Sequence, residues 1–274
     1  MHRFSTRTCL TFSATGVGPE VWKSFVVQEA LEHDFLMDGL LGLAALHIAA
    51  EKEIGTGEYV RIGLEYQNRA FVVFRESLSH LTAENCNAVF ASSVLAMMIA
   101  LFSTGCILQT FELLEGIRFV SKTGREWLQA GPFGPVFDLW FLPISSIQNS
   151  DINMALVELA AFNDSLSSVT AQEQQATFAD AISHLHTCFS KDKEMVLIWL
   201  AMTGKDFMAA LKQSEPMALL IFMHWGVLLD RLRDEWWVEG SGMRLVDELS
   251  KKVQEQGQDW SVMTVWARRQ VGLL

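Results

Sequence analysis

Apolar positions recur at helical spacing along most of this chain, most clearly over His33–Glu51. Two lines run through that stretch: Leu36, Leu40, Leu43, His47, and Met37, Leu41, Ala44, Ile48. Both follow i, i+4, i+7, i+11, so they lie side by side on one helix. Two adjacent lines make a wide stripe, which predicts a helix buried inside a larger helical body. Gly39, Gly42 and the run of alanines let neighbouring helices approach closely. Asp34 is placed to cap the N-terminus, and Gly55 and Gly57 to stop the helix. Phe35–Ala50 carries Asp38 and His47 and is 16 residues long, short of the ~20 that a membrane span needs.

The rest of the chain repeats the theme. A short helix over Val21–Leu31 precedes the central one. Glu58–Leu81 is a long amphipathic helix, and Thr82–Asn85 reads as cap and turn before an apolar helix over Ala88–Phe102. Helices follow over Ile107–Ala130, Asp151–Asn163, Ala171–Phe189, Lys193–Met202 and Asp206–Leu211. Glu215–Leu232, with Pro216 in its first turn, Glu239–Gln256 and Trp260–Val271 complete the set. Gly131–Pro135 is a breaker, and the aromatic stretch after it is a connector. Period-2 runs and fixed repeats are missing. The fold class expected is all-α: a single-domain irregular bundle of about ten helices, with residues 1–19 a loose lead-in and 20–274 the helical domain.

Composition narrows the function classes. The formal charge of −11 disfavours direct binding to a nucleic-acid backbone. The four cysteines are scattered and form no CxxC pair, which excludes zinc modules and thioredoxin motifs. The N-terminus lacks the apolar segment of a secretory signal, so an intracellular location with reduced thiols is the expectation. No nucleophile elbow, glycine-rich phosphate loop or dinucleotide fingerprint is present. No cofactor is expected.

Three stretches in order carry a family resemblance: residues 33–50, HDFLMDGLLGLAALHIAA; residues 81–96, LTAENCNAVFASSVLA; and residues 215–249, with Trp236-Trp237, Gly240 and Arg244-Leu245. Together they resemble the C-terminal helical domain of fungal zinc-cluster transcription factors, specifically the sterol-uptake-regulator group, over roughly residues 20–272. The resemblance implies a helical bundle that binds a sterol in an apolar pocket and often forms a homodimer. It does not carry DNA binding across, because only Cys9 lies in the first 85 residues, where that family has a six-cysteine cluster. Asp34 stands in place of a Pro, Ser241 in place of a Trp, and Trp266-Ala267 in place of a Trp-Pro.

Candidate residues follow from aromatic and methionine content. Nine Trp, 18 Phe and 12 Met suit bulky apolar ligands. The ligand-pocket candidates are His224, Trp225, Phe222, Trp236, Trp237, Trp140 and Phe141; no catalytic residue is assigned. His224 sits mid-run in an apolar helix, where it serves either a core hydrogen bond or a ligand group. His47 reads as a hydrogen-bonded core histidine. His184 and His186, at i and i+2, point to different faces and cannot share a metal, so no metal is expected. Asn163-Asp164 with Ser167 falls short of a magnesium-binding cyclase motif, since Glu173 comes two places late. The leading expectation is a fungal regulatory domain binding a hydrophobic small molecule, sterol or terpenoid-like, in an interhelical pocket, and nuclear in that role. The alternative is a stand-alone, cytoplasmic, cofactor-free cyclase or isomerase of fungal secondary metabolism, for which Met1 as a true start is the supporting expectation. A protein-interaction domain without a ligand is the third.

Overall fold

The computed structural model describes residues 1–12, 15–51, 56–103, 111–139, 147, 149–166, 172–191, 193 and 195–274. Among them the chain is all-α, without strands. Its helices are α1 His2–Thr6, α2 Val26–Glu32, α3 Asp34–Glu51, α4 Thr56–Ser79, α5 Cys86–Ser103, α6 Phe111–Thr123, α7 Arg125–Gln129, α8 Gly134–Leu139, α9 Ser150–Ser165, α10 Gln172–Phe189, α11 Met195–Met202, α12 Lys205–Lys212, α13 Pro216–Asp230, α14 Ser241–Gln254 and α15 Gln258–Gln270. They gather into two compact units: α1 to α8 with Glu235–Trp237, and α9 to α15.

In the first unit α3 is the axis. Leu36, Leu40, Leu43 and His47 are all buried, whereas Met37, Leu41 and Ile48 of the second line are only half-buried. Helix α4 covers a different face of α3, that of Asp38, Gly42 and Leu46, and crosses it at very short range. A Cβ on Gly63 would lie 2.6 Å from Leu46 Cδ2, and one on Gly42 would lie 3.0 Å from the Gly63 carbonyl. Beside this crossing the Arg69 guanidinium on α4 donates two bonds to the Asp38 carboxylate on α3, a bidentate clamp. Gly57, expected to stop α3, falls instead inside α4. At the start of α5, Asn85 Oδ1 accepts from Thr82 N at 2.8 Å and Thr82 Oγ1 from Asn85 N at 3.4 Å, the expected cap.

Residues 1–12, read as a loose lead-in, are structured. Phe4, Thr8, Cys9 and Phe12 are fully buried, and Phe12 packs edge-on against Trp22 at 4.6 Å. The helix expected over Val21–Leu31 begins with a π-turn, Val21–Phe25. The one expected over Ile107–Ala130 is broken at Gly124, where a Cβ would lie 2.2 Å from Cys86 Sγ.

In the second unit α13 is the axis. Every residue from Met217 to Asp230 is buried, as expected for a helix apolar on all sides. Its main neighbours are α14, α10 and α15. Gly242 lets α14 start hard against the end of α13: a Cβ there would lie 2.6 Å from the Asp230 backbone nitrogen.

Candidate functional site

The α13 helix places His224, Trp225 and Phe222 in the second unit. Phe222 and Trp225 stack at 5.0 Å, and Trp199 of α11 stacks on Trp225 at 6.0 Å. Their indole N–H groups donate to backbone carbonyls, Trp225 to Val196 at 2.8 Å and Trp199 to Ala181 at 3.2 Å. These aromatics fill one another's space and hold α10, α11 and α13 together.

His224 faces elsewhere. It is 1 % exposed and stacks on Trp266 of α15, centroids 5.2 Å apart and 12° from parallel. Its Nδ1 lies 2.8 Å from the Leu220 carbonyl. A carbonyl only accepts, so Nδ1 carries the proton and Nε2 is left as an acceptor. Burial pushes the pKa down to about 4, against the carbonyl, which raises it. The ring is therefore neutral at pH 7. Trp266 is fixed in turn by Asp151 at the start of α9, whose Oδ2 accepts from Trp266 Nε1 at 3.0 Å and from Gln270 Nε2 at 2.8 Å.

One turn further along this α13–α15 seam lies a cleft of about 470 Å³, within the ~300–1,000 Å³ of small-molecule sites. Val227 and Gln270 line it. Val227 is i+3 from His224 and Gln270 is i+4 from Trp266, so each continues the face that carries the stack. Phe189 and Ile152 are its other apolar walls, and Lys191, Lys193, Arg231, Arg233, Asp230 and Asp234 are its polar ones. Four cations against two carboxylates give the lining a net positive formal charge. Helices α10, α13 and α15 all end at this cleft, and helix C-termini are electronegative. Arg231 answers by donating to the Phe189 carbonyl at 3.3 Å, and Arg233 by donating to the Asp230 carbonyl at 3.2 Å. Arg233 also pairs with the Asp230 carboxylate, and Lys193 with Asp234 at 3.6 Å.

Trp236 and Trp237 belong to the first unit. Trp236 lies flat on His47, centroids 4.6 Å apart and 8° from parallel, and meets Phe102 edge-on at 5.5 Å. Its Nε1 donates to Thr11 Oγ1 at 3.1 Å, and Trp237 Nε1 donates to the Thr11 carbonyl at 3.3 Å. His47 has both nitrogens engaged, Nδ1 with Thr8 Oγ1 at 3.0 Å and Nε2 with Glu51 at 3.3 Å. Glu51 also pairs with Arg3 and Arg7. The Trp pair, grouped with α13 on sequence proximity, thus packs with the N-terminal segment. Sequence reasoning missed Thr8, Thr11, Trp266 and Asp151; only Trp266, an aromatic in the last helix, gave any signal. Trp140 and Phe141 lie outside the described residues.

Among the described residues no cluster of His, Cys, Asp and Glu is placed to hold a metal ion, and no helix is long and apolar enough to cross a membrane. Burial raises the thiols of Cys86 to about 11 and Cys188 to about 12, which makes them poor nucleophiles at neutral pH.

Comparison with known proteins adds two findings. Residues 1–206 match the fungal specific transcription factor domain. The chain is also 22 % identical over 276 residues to sterol uptake control protein 2 of Saccharomyces cerevisiae, an alignment covering 91 % of this chain and 30 % of that protein. The chain therefore spans less than a third of the length of the relative it matches.

Proposed function

Since the chain belongs to the fungal specific transcription factor domain family, we propose that it is a regulatory module whose state is set by a hydrophobic small molecule, sterol or terpenoid-like, held along the α13–α15 seam. The observation that supports the reading is a ligand-sized cleft lined by Val227 and Gln270, one turn beyond the His224–Trp266 stack; His224 itself stands behind the lining. In this reading the hydroxyl of an otherwise apolar molecule reaches past Val227 and donates to Nε2 of His224, the ring nitrogen that the Leu220 carbonyl leaves as an acceptor. The name of the yeast relative supports the sterol class. Ligand binding shifts such a module only through differential affinity for its two states, and α13, buried on every side, is the helix best placed to report occupancy to its neighbours.

The cyclase or isomerase alternative asks His224 to move a proton. A ring neutral down to about pH 4 is a weak base, and catalytic bases work best near the operating pH. We therefore favour the regulator, nuclear within a fungal cell, with no direct contact to nucleic acid at a charge of −11 and with a second copy of the chain as its partner.

The test is a thermal-shift comparison of cholesterol, 5α-cholestane and farnesol on the wild type and on His224→Phe, which keeps a ring on Trp266 and removes the acceptor. The expected result is stabilisation by cholesterol over cholestane in the wild type and loss of that preference in the variant. No shift with any probe, or a preference unchanged in the variant, overturns the assignment.

A further inference from the structure

The side-chain amide of Gln270 has a fixed sense. Its Nε2 donates to Asp151 Oδ2 at 2.8 Å, and the same oxygen accepts from Trp266 Nε1 at 3.0 Å. An oxygen that accepts from an indole N–H meets an amide through its NH2 end, because an amide oxygen there would set acceptor against acceptor. The Gln270 amide oxygen therefore turns away from Asp151. Gln270 is half-buried and lines the cleft, and among the described residues its Oε1 has no hydrogen-bond partner.

The other side chains of the lining make that oxygen scarce. Lys191, Lys193, Arg231 and Arg233 carry donors only. The two carboxylates are engaged, Asp230 by Arg233 and Asp234 by Lys193. A donor on a ligand is thus met by Gln270 Oε1. The net positive charge of the lining repels an ammonium in that role, so the donor that fits is a neutral hydroxyl. Gln270 lies four residues beyond Trp266, about 6 Å along α15, and Trp266 carries the His224 ring on its face. A hydroxyl on Gln270 and a hydroxyl on His224 are therefore two separate groups of one ligand.

We propose that Gln270 is the specificity-determining residue of this cleft: its amide oxygen, oriented by Asp151, accepts from a second hydroxyl, and the favoured ligand is a diol on a rigid apolar frame. The inference rests on the reading of the α13–α15 seam as the ligand site and names the class of molecule held there. A molecule with one hydroxyl satisfies one acceptor and binds less tightly.

The probes are cholesterol and the two epimers of 7-hydroxycholesterol, which add a second hydroxyl to the same frame. They are titrated into the full chain and followed by the indole N–H NMR signal of Trp266, which shares its acceptor with Gln270. In the wild type one epimer should bind about tenfold more tightly than cholesterol, the effect of one added buried hydrogen bond. Gln270→Lys keeps a donor for Asp151 and removes the acceptor, whereas Gln270→Met removes both. Each variant should bind the diols no more tightly than cholesterol, and only Gln270→Met should also lower the Tm. Cholesterol binding with no gain from either epimer overturns the Gln270 assignment and leaves the seam reading intact. A diol preference that survives in Gln270→Lys overturns it too, because Gln270 then serves only as a tether for Asp151. If none of the three sterols binds the wild type, the seam reading fails and the assignment falls with it.

Discussion

His47 in the first unit and His224 in the second each lie ring-to-ring on a tryptophan, at 4.6 and 5.2 Å, and both are at least 95 % buried. Their nitrogens separate them. His47 spends both on side chains, Thr8 and Glu51, and so joins α3 to the N-terminal segment. His224 spends one on the carbonyl four residues back and keeps the other. Burial lowers the pKa of both rings. At His47 the neighbouring Arg3 and Arg7 lower it further while Glu51 raises it, whereas at His224 no charged group contributes. The partner of the second nitrogen separates the two rings: His47 is a junction between elements, and His224 is the ring proposed above to meet a ligand.

The largest expected effect contrasts the aromatic partners of the two regions. Trp225 is 1 % exposed and tied to Val196, so Trp225→Ala should destabilise by about 3–5 kcal/mol. Trp236 is half-buried, and Trp236→Ala should lose only its stack and one hydrogen bond, about 2 kcal/mol. Urea unfolding measures both. Equal losses would mean that the first unit depends on its tryptophan junction as heavily as the second depends on its aromatic core.

Much of this contrast was legible in the sequence, but not its partners. The 3.6-residue period located α3 and α13 and marked His47 and His224 as buried, because a helix's apolar faces are written in its own residues. Who meets those faces is written elsewhere. Trp236 follows α13 closely in the chain yet stacks on His47, 189 positions earlier by number, and no local pattern encodes that. The N-terminal twelve residues carry isolated anchors, Phe4, Cys9 and Phe12, with no period to reveal them. Asp38 is a charge within an apolar helix, and its partner Arg69 comes from α4.

The next effect separates the histidines by pH. His224 has a folded pKa of about 4 against about 6.5 when unfolded. The unfolded state binds the extra proton first, so stability is full above pH ~6.5 and is lost as pH falls toward 4, by up to about 3 kcal/mol. His47 acts in the same direction. Urea midpoints of wild type and His224→Phe, measured from pH 7 to pH 4, should therefore converge or cross, the variant lacking this loss. Parallel curves would show that His224 titrates normally and is open to water.

The smallest effect probes the junction itself. Thr11 is the residue through which the N-terminal segment holds both tryptophans: its hydroxyl accepts from Trp236 Nε1, and its carbonyl accepts from Trp237 Nε1. That hydroxyl also donates to the Thr8 carbonyl at 2.8 Å, and Thr8 meets His47. Thr11→Val removes the hydroxyl and keeps shape and carbonyl, so only the Trp236 bond and the local turn are lost, about 1 kcal/mol. Trp236→Phe removes the donor of the same bond and keeps an aromatic ring on His47. Because both changes delete one shared interaction, the double variant should be less destabilised than the sum of the singles, by about 0.5–1 kcal/mol. Strict additivity would mean that the bond contributes nothing, and that stacking alone holds the tryptophan on His47.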